Sequence, residues 1–468
     1  MPGLEGSVAW ANVSFRLIVP VARASCRDAF ARRAHYATRV QNWNLTELDS
    51  GERVITERLD HVRSAAVGYW IGAGSRDEES SEAGVSHFIE HLLFKGTSRY
   101  SALEIAEIFD GLGGELNAAT SREHTLVYSR IPDHHLVTAV DVMSDMVFAP
   151  AFAELETERE VVLEEIAMYE DAPQELVHDL IADAVFGDHP LGRPVIGRAE
   201  VISSIPQDAI ARYHEEMYVP SNIVVAAAGN IEHEQIVELV QRGLERRAAT
   251  GASRANLRPP LVQASPPQLR FQRKDTEQYH VCLAAPGISR SDRRRFAASL
   301  LDAILGGSAS SRLFQEIREK RGMAYAVYSF ISQYTDSGQI GVYLGTREDN
   351  LGDALAITAE QIADIGAGNL SPRELERAKE NLKGRILLSM ESTSTRMNRL
   401  GKSLITDSEL LSLDRIVAEI DAVEAASVCE LAAVLLAPGR LSAACIGPSE
   451  DHFLAALERI TPDLAHAA

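Results

Sequence analysis

The sequence predicts an α+β fold built twice in one chain. A segment running from Gly72 through a histidine-bearing helix to a strand at Asn117 has a weak echo roughly 220 residues later, a period that points to internal duplication. The echo runs from Pro286 through residues 296–307 to a strand at Tyr325, and its helix carries no histidine. Between the copies, residues 251–267 are rich in small residues and proline, as in a linker. Within each copy helical and strand patterns alternate in an α+β order. The expected organisation is an N-terminal extension at 1–40, a first domain at 41–255, a linker at 256–267 and a second domain at 268–468.

The extension holds six arginines between Arg16 and Arg39 against one acid, Asp28. That composition resembles an organellar transit peptide. Glu5 and an apolar run at 17–22 too short for a secretory core favour instead a disordered tail or an upstream translation start.

The first domain contains His87, Glu90 and His91 in the order H-x-x-E-H. On a helix, residues four apart share a face, so both imidazoles can reach one zinc ion. Glu90 falls on the same side and could take a proton from the attacking water; this order is an inverted zinc signature. Ser80 and Ser81 are candidate caps, Glu82 sits in the expected first turn and Gly96 follows the last. The plainer reading is two helix-face histidines in a polar cluster.

Catalytic zinc usually takes a third protein ligand. The acidic stretch at 154–169 is helical by periodicity, with Leu155, Val162, Ile166 and Tyr169 on one stripe. Glu158 and Glu165 border that stripe two turns apart, whereas Glu164 points to solvent. Glu165 is the expected inward-facing ligand and Glu158 a carboxylate that orients an imidazole from behind. A solvated acidic helix is the alternative.

After a Gly113-Gly114 turn, the residues around Asn117 read as a strand, in which Asn117 could also be a turn residue. In the second half Arg318 and Tyr325 are seven residues apart, with Gly322 ending a helix between them. A guanidinium or phenol donor can offset negative charge on a carbonyl oxygen under attack. Alternatively, Arg318 is a surface helix residue and Tyr325 begins a core strand.

These blocks, residues 87–97 (H-F-I-E-H-L-L-F-K-G-T), 113–128 (G-G-E-L-N-A-A-T-S-R-E-H-T-L-V-Y), 158–171, 187–197 (G-D-H-P-L-G-R-P-V-I-G) and 306–328, together resemble the pitrilysin-type inverted-zincin peptidases, family M16. The similarity spans about 41–450 and is strongest to the short two-domain branch that includes the mitochondrial processing peptidase beta subunit and its bacterial relatives. The resemblance implies a largely antiparallel, roughly six-stranded sheet with packed helices in each domain. It implies one zinc per chain on His87, His91 and Glu165, with Glu90 as base and Glu158 behind the ligands. It implies that Asn117 contacts substrate on an edge strand to which a peptide adds, and that Arg318 and Tyr325 hold the scissile carbonyl and its neighbour. The activity implied is zinc endopeptidase cleavage of extended or unstructured peptides in a chamber between two chains. Because both the zinc motif and the Arg318/Tyr325 pair are present, a homodimer is the economical expectation. The alternatives are a heterodimer with a paralogous subunit, or a non-proteolytic core subunit of the same fold. The matched blocks look bacterial, so the expected location is a bacterial cytoplasm, or a mitochondrial matrix if the extension is a transit peptide.

With 468 residues, 46% hydrophobic and 24% charged, the chain can build more than one core. No apolar run approaches the length of a membrane span. Cys26, Cys282, Cys429 and Cys445 show no metal or disulfide spacing, which suggests a reducing compartment. A net charge of -21 argues against nucleic acid as a partner. It fits basic peptide substrates if the acids line an interior, and equally fits an acidic outer surface.

Overall fold

The computed structural model describes residues 43–247 and 265–467. The extension at 1–40 and residues 256–264 of the expected linker lie outside the described residues. The first half contributes β1 (Trp43–Glu47), β2 (Arg53–Arg58), β3 (Ser64–Ile71), β4 (Glu115–Thr120), β5 (Thr125–Pro132) and β6 (Ile223–Gly229). They form one sheet in the order β1-β2-β6-β3-β5-β4, antiparallel throughout except for β2 beside β6. The second half contributes β7 (Leu269–Arg273), β8 (Tyr279–Pro286), β9 (Ala324–Gln333), β10 (Gly338–Thr346) and β11 (Ser442–Gly447), ordered β7-β11-β8-β10-β9 with only β7 and β11 parallel.

The run β2-β6-β3-β5-β4 and the run β7-β11-β8-β10-β9 have the same chain order and the same single parallel pair. The faint sequence echo is therefore a repeated topology. Among the described residues the second sheet has five strands and the first six, in line with a largely antiparallel sheet in each half.

Strands β3 and β6 are buried along almost their whole length, because both faces of the sheet are covered. That is why β6 reads as the unbroken apolar run Ile-Val-Val-Ala-Ala-Ala rather than as an alternation. Each sheet packs helices of its own half on one face and receives a helix from the opposite half on the other. The helix Thr393–Ile405 of the second half sets Met397, Leu400 and Ile405 against Ile55, Trp70 and Val224 of the first sheet. Reciprocally, the helix Pro173–Phe186 of the first half sets Val177 and Ile181 against Cys282, Ala284 and Ile446 of the second. Gly401 makes the first approach possible: a Cβ there would lie 2.0 Å from Trp70 Nε1.

The β4–β5 and β9–β10 turns, equivalent under the repeat, meet through a buried ion cluster. Arg76 Nη1 donates to Glu123 and to Asp336, each at 2.8 Å, and Nη2 donates to Asp336 at 2.7 Å. The Thr335 N–H donates to both oxygens of Glu123 at 3.1 Å. Strands β4 and β9 are the outer edges of their sheets, and these turns hold one end of each. Among the described residues no helix is long and apolar enough to cross a membrane.

Candidate metal centre

The helix Val85–Leu92 buries Phe88, Ile89 and Leu92 in the first-half core and turns His87, Glu90 and His91 the other way, half-buried. This is the face separation that the i, i+3, i+4 spacing dictates. The expected caps are corrected: Ser80–Glu82 form a separate short turn, and the helix begins after Gly84, whose φ of +97° no local side chain completes as a cap. Gly96, at φ +112°, lies beyond a further turn after the helix end at Leu92.

The helix Leu155–Glu170 packs against this one with Val162 and Ile166 buried. Glu158 is buried beneath the histidines, Glu165 faces them partly exposed, and Glu164 is exposed. Glu165 Oε2 lies 3.7 Å from His87 Nε2 and 3.4 Å from His91 Nε2. One ligand atom from each of the three residues lies within 4.8 Å of the others. Four-coordinate zinc with bonds of about 2.0–2.2 Å requires ligand atoms about 3.3–3.6 Å apart, so these three fit the ion with small adjustments.

The protonation pattern favours ligation. His91 Nδ1 donates to Glu158 Oε1 at 2.8 Å, which leaves the Nε2 lone pair directed at the centre. Glu158 is held in turn by Lys95 Nζ at 2.6 Å from its other oxygen. Burial, aided by the neighbouring His91, lowers the His87 pKa to about 4 and keeps that ring neutral. Among the described residues the buried His87 Nδ1 has no hydrogen-bond partner. Glu90 accepts a hydrogen bond from Thr120 Oγ1, at the end of β4, and burial raises its pKa against the opposing effect of that bond.

Asn117 is exposed within β4, where its Oδ1 accepts the Ala118 N–H at 2.8 Å, so it is a strand residue rather than a turn residue. Beside β4 a groove is lined by Phe94, Ile105, Phe109, Leu116 and Tyr128. Arg318 lies on the helical turn Phe314–Glu319, which closes at Gly322 with φ +62°. Its guanidinium carbon sits 4.6 Å from the ring centres of both Phe314 and Tyr325. Tyr325 is 79% exposed on edge strand β9, which corrects the reading of a core strand. Among the described residues no hydrogen bond or ion pair joins Arg318 or Tyr325 to the histidine cluster; the two groups lie on different halves. Sequence reasoning missed Thr120 and Lys95. Lys95, four residues beyond His91, was visible as a helix-spacing neighbour, whereas nothing in spacing pointed from Thr120 to Glu90.

A duplicated α+β chain in which two imidazoles and a carboxylate converge beside a second, hydroxyl-held carboxylate has the make-up of a metal-dependent hydrolase. Residues 53–199 match the family model described as Insulinase (Peptidase family M16), and residues 204–382 that described as Peptidase M16 inactive domain. Relatives include an uncharacterized zinc protease of Streptomyces coelicolor, 41% identical over 87% of this chain and 90% of that protein. Another, of Mycobacterium leprae, is 41% identical over 91% and 96%, and the uncharacterized zinc protease YmxG of Bacillus subtilis is 40% identical over 82% and 93%. Among solved structures, a protease from Helicobacter pylori aligns with a TM-score of 0.81 at 20% identity, covering 87% of this chain and 99% of that one. A peptidase M16 inactive domain protein from Pseudomonas fluorescens aligns at 0.80 and 22% identity, with the same coverage, so both show the shared fold. The chain belongs to peptidase family M16.

Proposed function

We propose that this chain is a zinc endopeptidase that cleaves extended or unstructured peptides inside a chamber enclosed by two chains. The observation that carries the reading is the convergence of His87 Nε2, His91 Nε2 and Glu165 Oε2, with Glu90 alongside. When bound by these three residues, one zinc per chain would polarise the scissile carbonyl and acidify the attacking water. Glu90 accepts that water's proton and later delivers it to the leaving amine, and its raised pKa suits a group that must both take and return a proton. Thr120 fixes the carboxylate, and Glu158 fixes the His91 ring.

The edge of β4, outermost in its sheet among the described residues, can accept an extended substrate by backbone pairing, which tolerates many sequences. Asn117 then contacts the peptide, while Arg318 and Tyr325 supply donors that offset charge on a substrate oxygen. The acidic chain suits basic peptides. A homodimer lets the second half of one chain face the metal centre of the other, and a paralogous partner is the alternative assembly. Buried free thiols at Cys282, Cys429 and Cys445 fit a reducing compartment, which we take to be a bacterial cytoplasm.

The test is hydrolysis of a quenched basic peptide by the purified chain beside Glu90→Gln, with zinc content and native mass recorded on the same samples. The expected result is a zinc-loaded dimer whose activity vanishes in the variant and with chelator. Near-normal, metal-dependent cleavage by Glu90→Gln would remove Glu90 as the base. A zinc-loaded wild type without activity would point to the unlike partner.

A further inference from the structure

The helix that carries His87, Glu90 and His91 is two turns long and opens on Gly84, which supplies no side chain to its free N–H groups. Two of those groups, at Gly84 and Ser86, are satisfied from outside the helix. Glu78, 4% exposed, folds back over the helix start. Its Oε2 accepts the Gly84 N–H at 2.7 Å and its Oε1 the Ser86 N–H at 2.8 Å. A carboxylate in this position also complements the positive end of the helix dipole. Ser86 adjoins His87, so the second bond fixes the Val85–Ser86 peptide, one residue before the first expected ligand.

The surroundings leave this start little room to move. Ser86 Oγ and Tyr213 OH, both buried, are 2.9 Å apart. Gly84 is pressed on Gly197: a Cβ on Gly84 would lie 2.8 Å from Gly197 Cα, and one on Gly197 would lie 2.4 Å from Gly84 Cα. Arg193 donates to the Glu78 carbonyl oxygen and to Ser80 Oγ, holding the segment that delivers the carboxylate. Two residues earlier in that segment, Arg76 joins the ion cluster with Glu123 and Asp336 of the opposite turn.

We infer that Glu78 is the positioning residue of the metal centre: its carboxylate, anchored through Arg193 and the Arg76 cluster, sets the height and rotation of the helix and so the separation of the two imidazoles from Glu165. A short helix held at its start by one carboxylate shifts both ligands together when that carboxylate is lost. Glu165, on a separate helix, does not follow, and in a formed site the metal–ligand distances lie within about 0.2 Å of their standard values. This inference rests on the zinc reading above.

The experiment is competition of the metal-free full-length chain with a chelating dye for zinc, comparing wild type with the isosteric Glu78→Gln. In parallel, the melting temperature of each metal-free protein and amide exchange at Gly84 and Ser86 of the metal-free wild type are measured. Glu78→Gln should weaken zinc binding by about tenfold or more, in the range seen when groups behind metal ligands are removed, with little change in the melting of the metal-free protein. The wild-type amides should exchange as slowly as those of the helix interior. Unchanged zinc affinity in the variant overturns the inference, and so does loop-like exchange at Gly84 and Ser86, which is read on the wild type even if the variant does not fold. A wild-type chain that binds no zinc would instead overturn the proposed function, and this inference with it.

Discussion

His91 Nδ1 lies 2.8 Å from Glu158 Oε1, and Lys95 Nζ lies 2.6 Å from the other oxygen of the same carboxylate. The imidazole is thereby fixed in the tautomer whose free nitrogen faces Glu165. Glu158→Ala removes the acceptor, lets the ring rotate and leaves Lys95 without that carboxylate beside the candidate metal centre. Zinc affinity should fall by about 10–100-fold, while peptide hydrolysis at saturating zinc falls less. Isothermal titration with the metal-free protein checks this; an affinity equal to that of the wild type would show that Glu158 is only a partner for Lys95.

The Arg76 cluster predicts a stability effect far larger than a surface ion pair would give. Arg76 and Glu123 are each about 2% exposed at the side chain, and Glu123 also receives the Thr335 N–H from the other half. Replacing Arg76 by Met takes from the buried Glu123 carboxylate its hydrogen-bonded cation and leaves it Arg290 Nη2 at 3.8 Å, at a cost of up to about 3–5 kcal/mol. Asp336→Asn, at a side chain 31% exposed, should cost clearly less because water can replace the lost contact. Chemical denaturation of the two variants against wild type separates the cases, and equal small losses would mean that the turns are held by packing alone.

The ease of reading this chain varied with how local each feature is. His87, Glu90 and His91 were legible because a helix imposes its spacing on sequence, and Glu165 because Val162 and Ile166 define which side of its helix is buried. The topology of the first half reappears in the second, so a weak echo was enough to predict duplication. The helix start is not legible locally, because Ser80 and Ser81 are the nearest capping side chains in sequence while the bonds come from Glu78, outside the helix, onto a left-handed Gly84. The exchange of helices between halves was not legible at all. The apolar faces of Thr393–Ile405 and Pro173–Phe186 say that something covers them, but a stripe of Met397, Leu400 and Ile405 does not say which sheet.

Arg318 offers a test of substrate handling that leaves the metal alone. Its guanidinium carbon lies over the rings of both Phe314 and Tyr325 at 4.6 Å, contacts that suit a planar cation better than a lysine ammonium. Arg318→Lys keeps the charge and loses the orientation. The expected result is unchanged zinc content and melting temperature with kcat/KM reduced by about tenfold or more, since one misplaced donor to a developing oxyanion is costly. Wild-type kinetics in this variant would assign Arg318 to the surface.

Acid stability provides a prediction independent of metal chemistry. His214 is buried between Phe152 and Tyr218, stacked on the latter with ring centres 4.1 Å apart, and its Nε2–H donates to the Val147 carbonyl oxygen at 3.0 Å. Burial lowers its pKa to about 4, against an ordinary value near 6.5 in the unfolded chain. Between those values the unfolded chain takes up a proton that the folded chain refuses. The contribution of the neutral ring is therefore fully present above about pH 6.5 and is lost as pH falls toward 4, by an amount on the order of 3 kcal/mol. Replacing His214 by Gln keeps a donor for Val147 and removes the titration. Unfolding free energies of the metal-free proteins, measured from pH 7 to pH 4.5, should fall more steeply for wild type than for the variant. Parallel curves would mean that His214 becomes charged inside the fold, with water or a rearranged Phe152 loop admitting the proton.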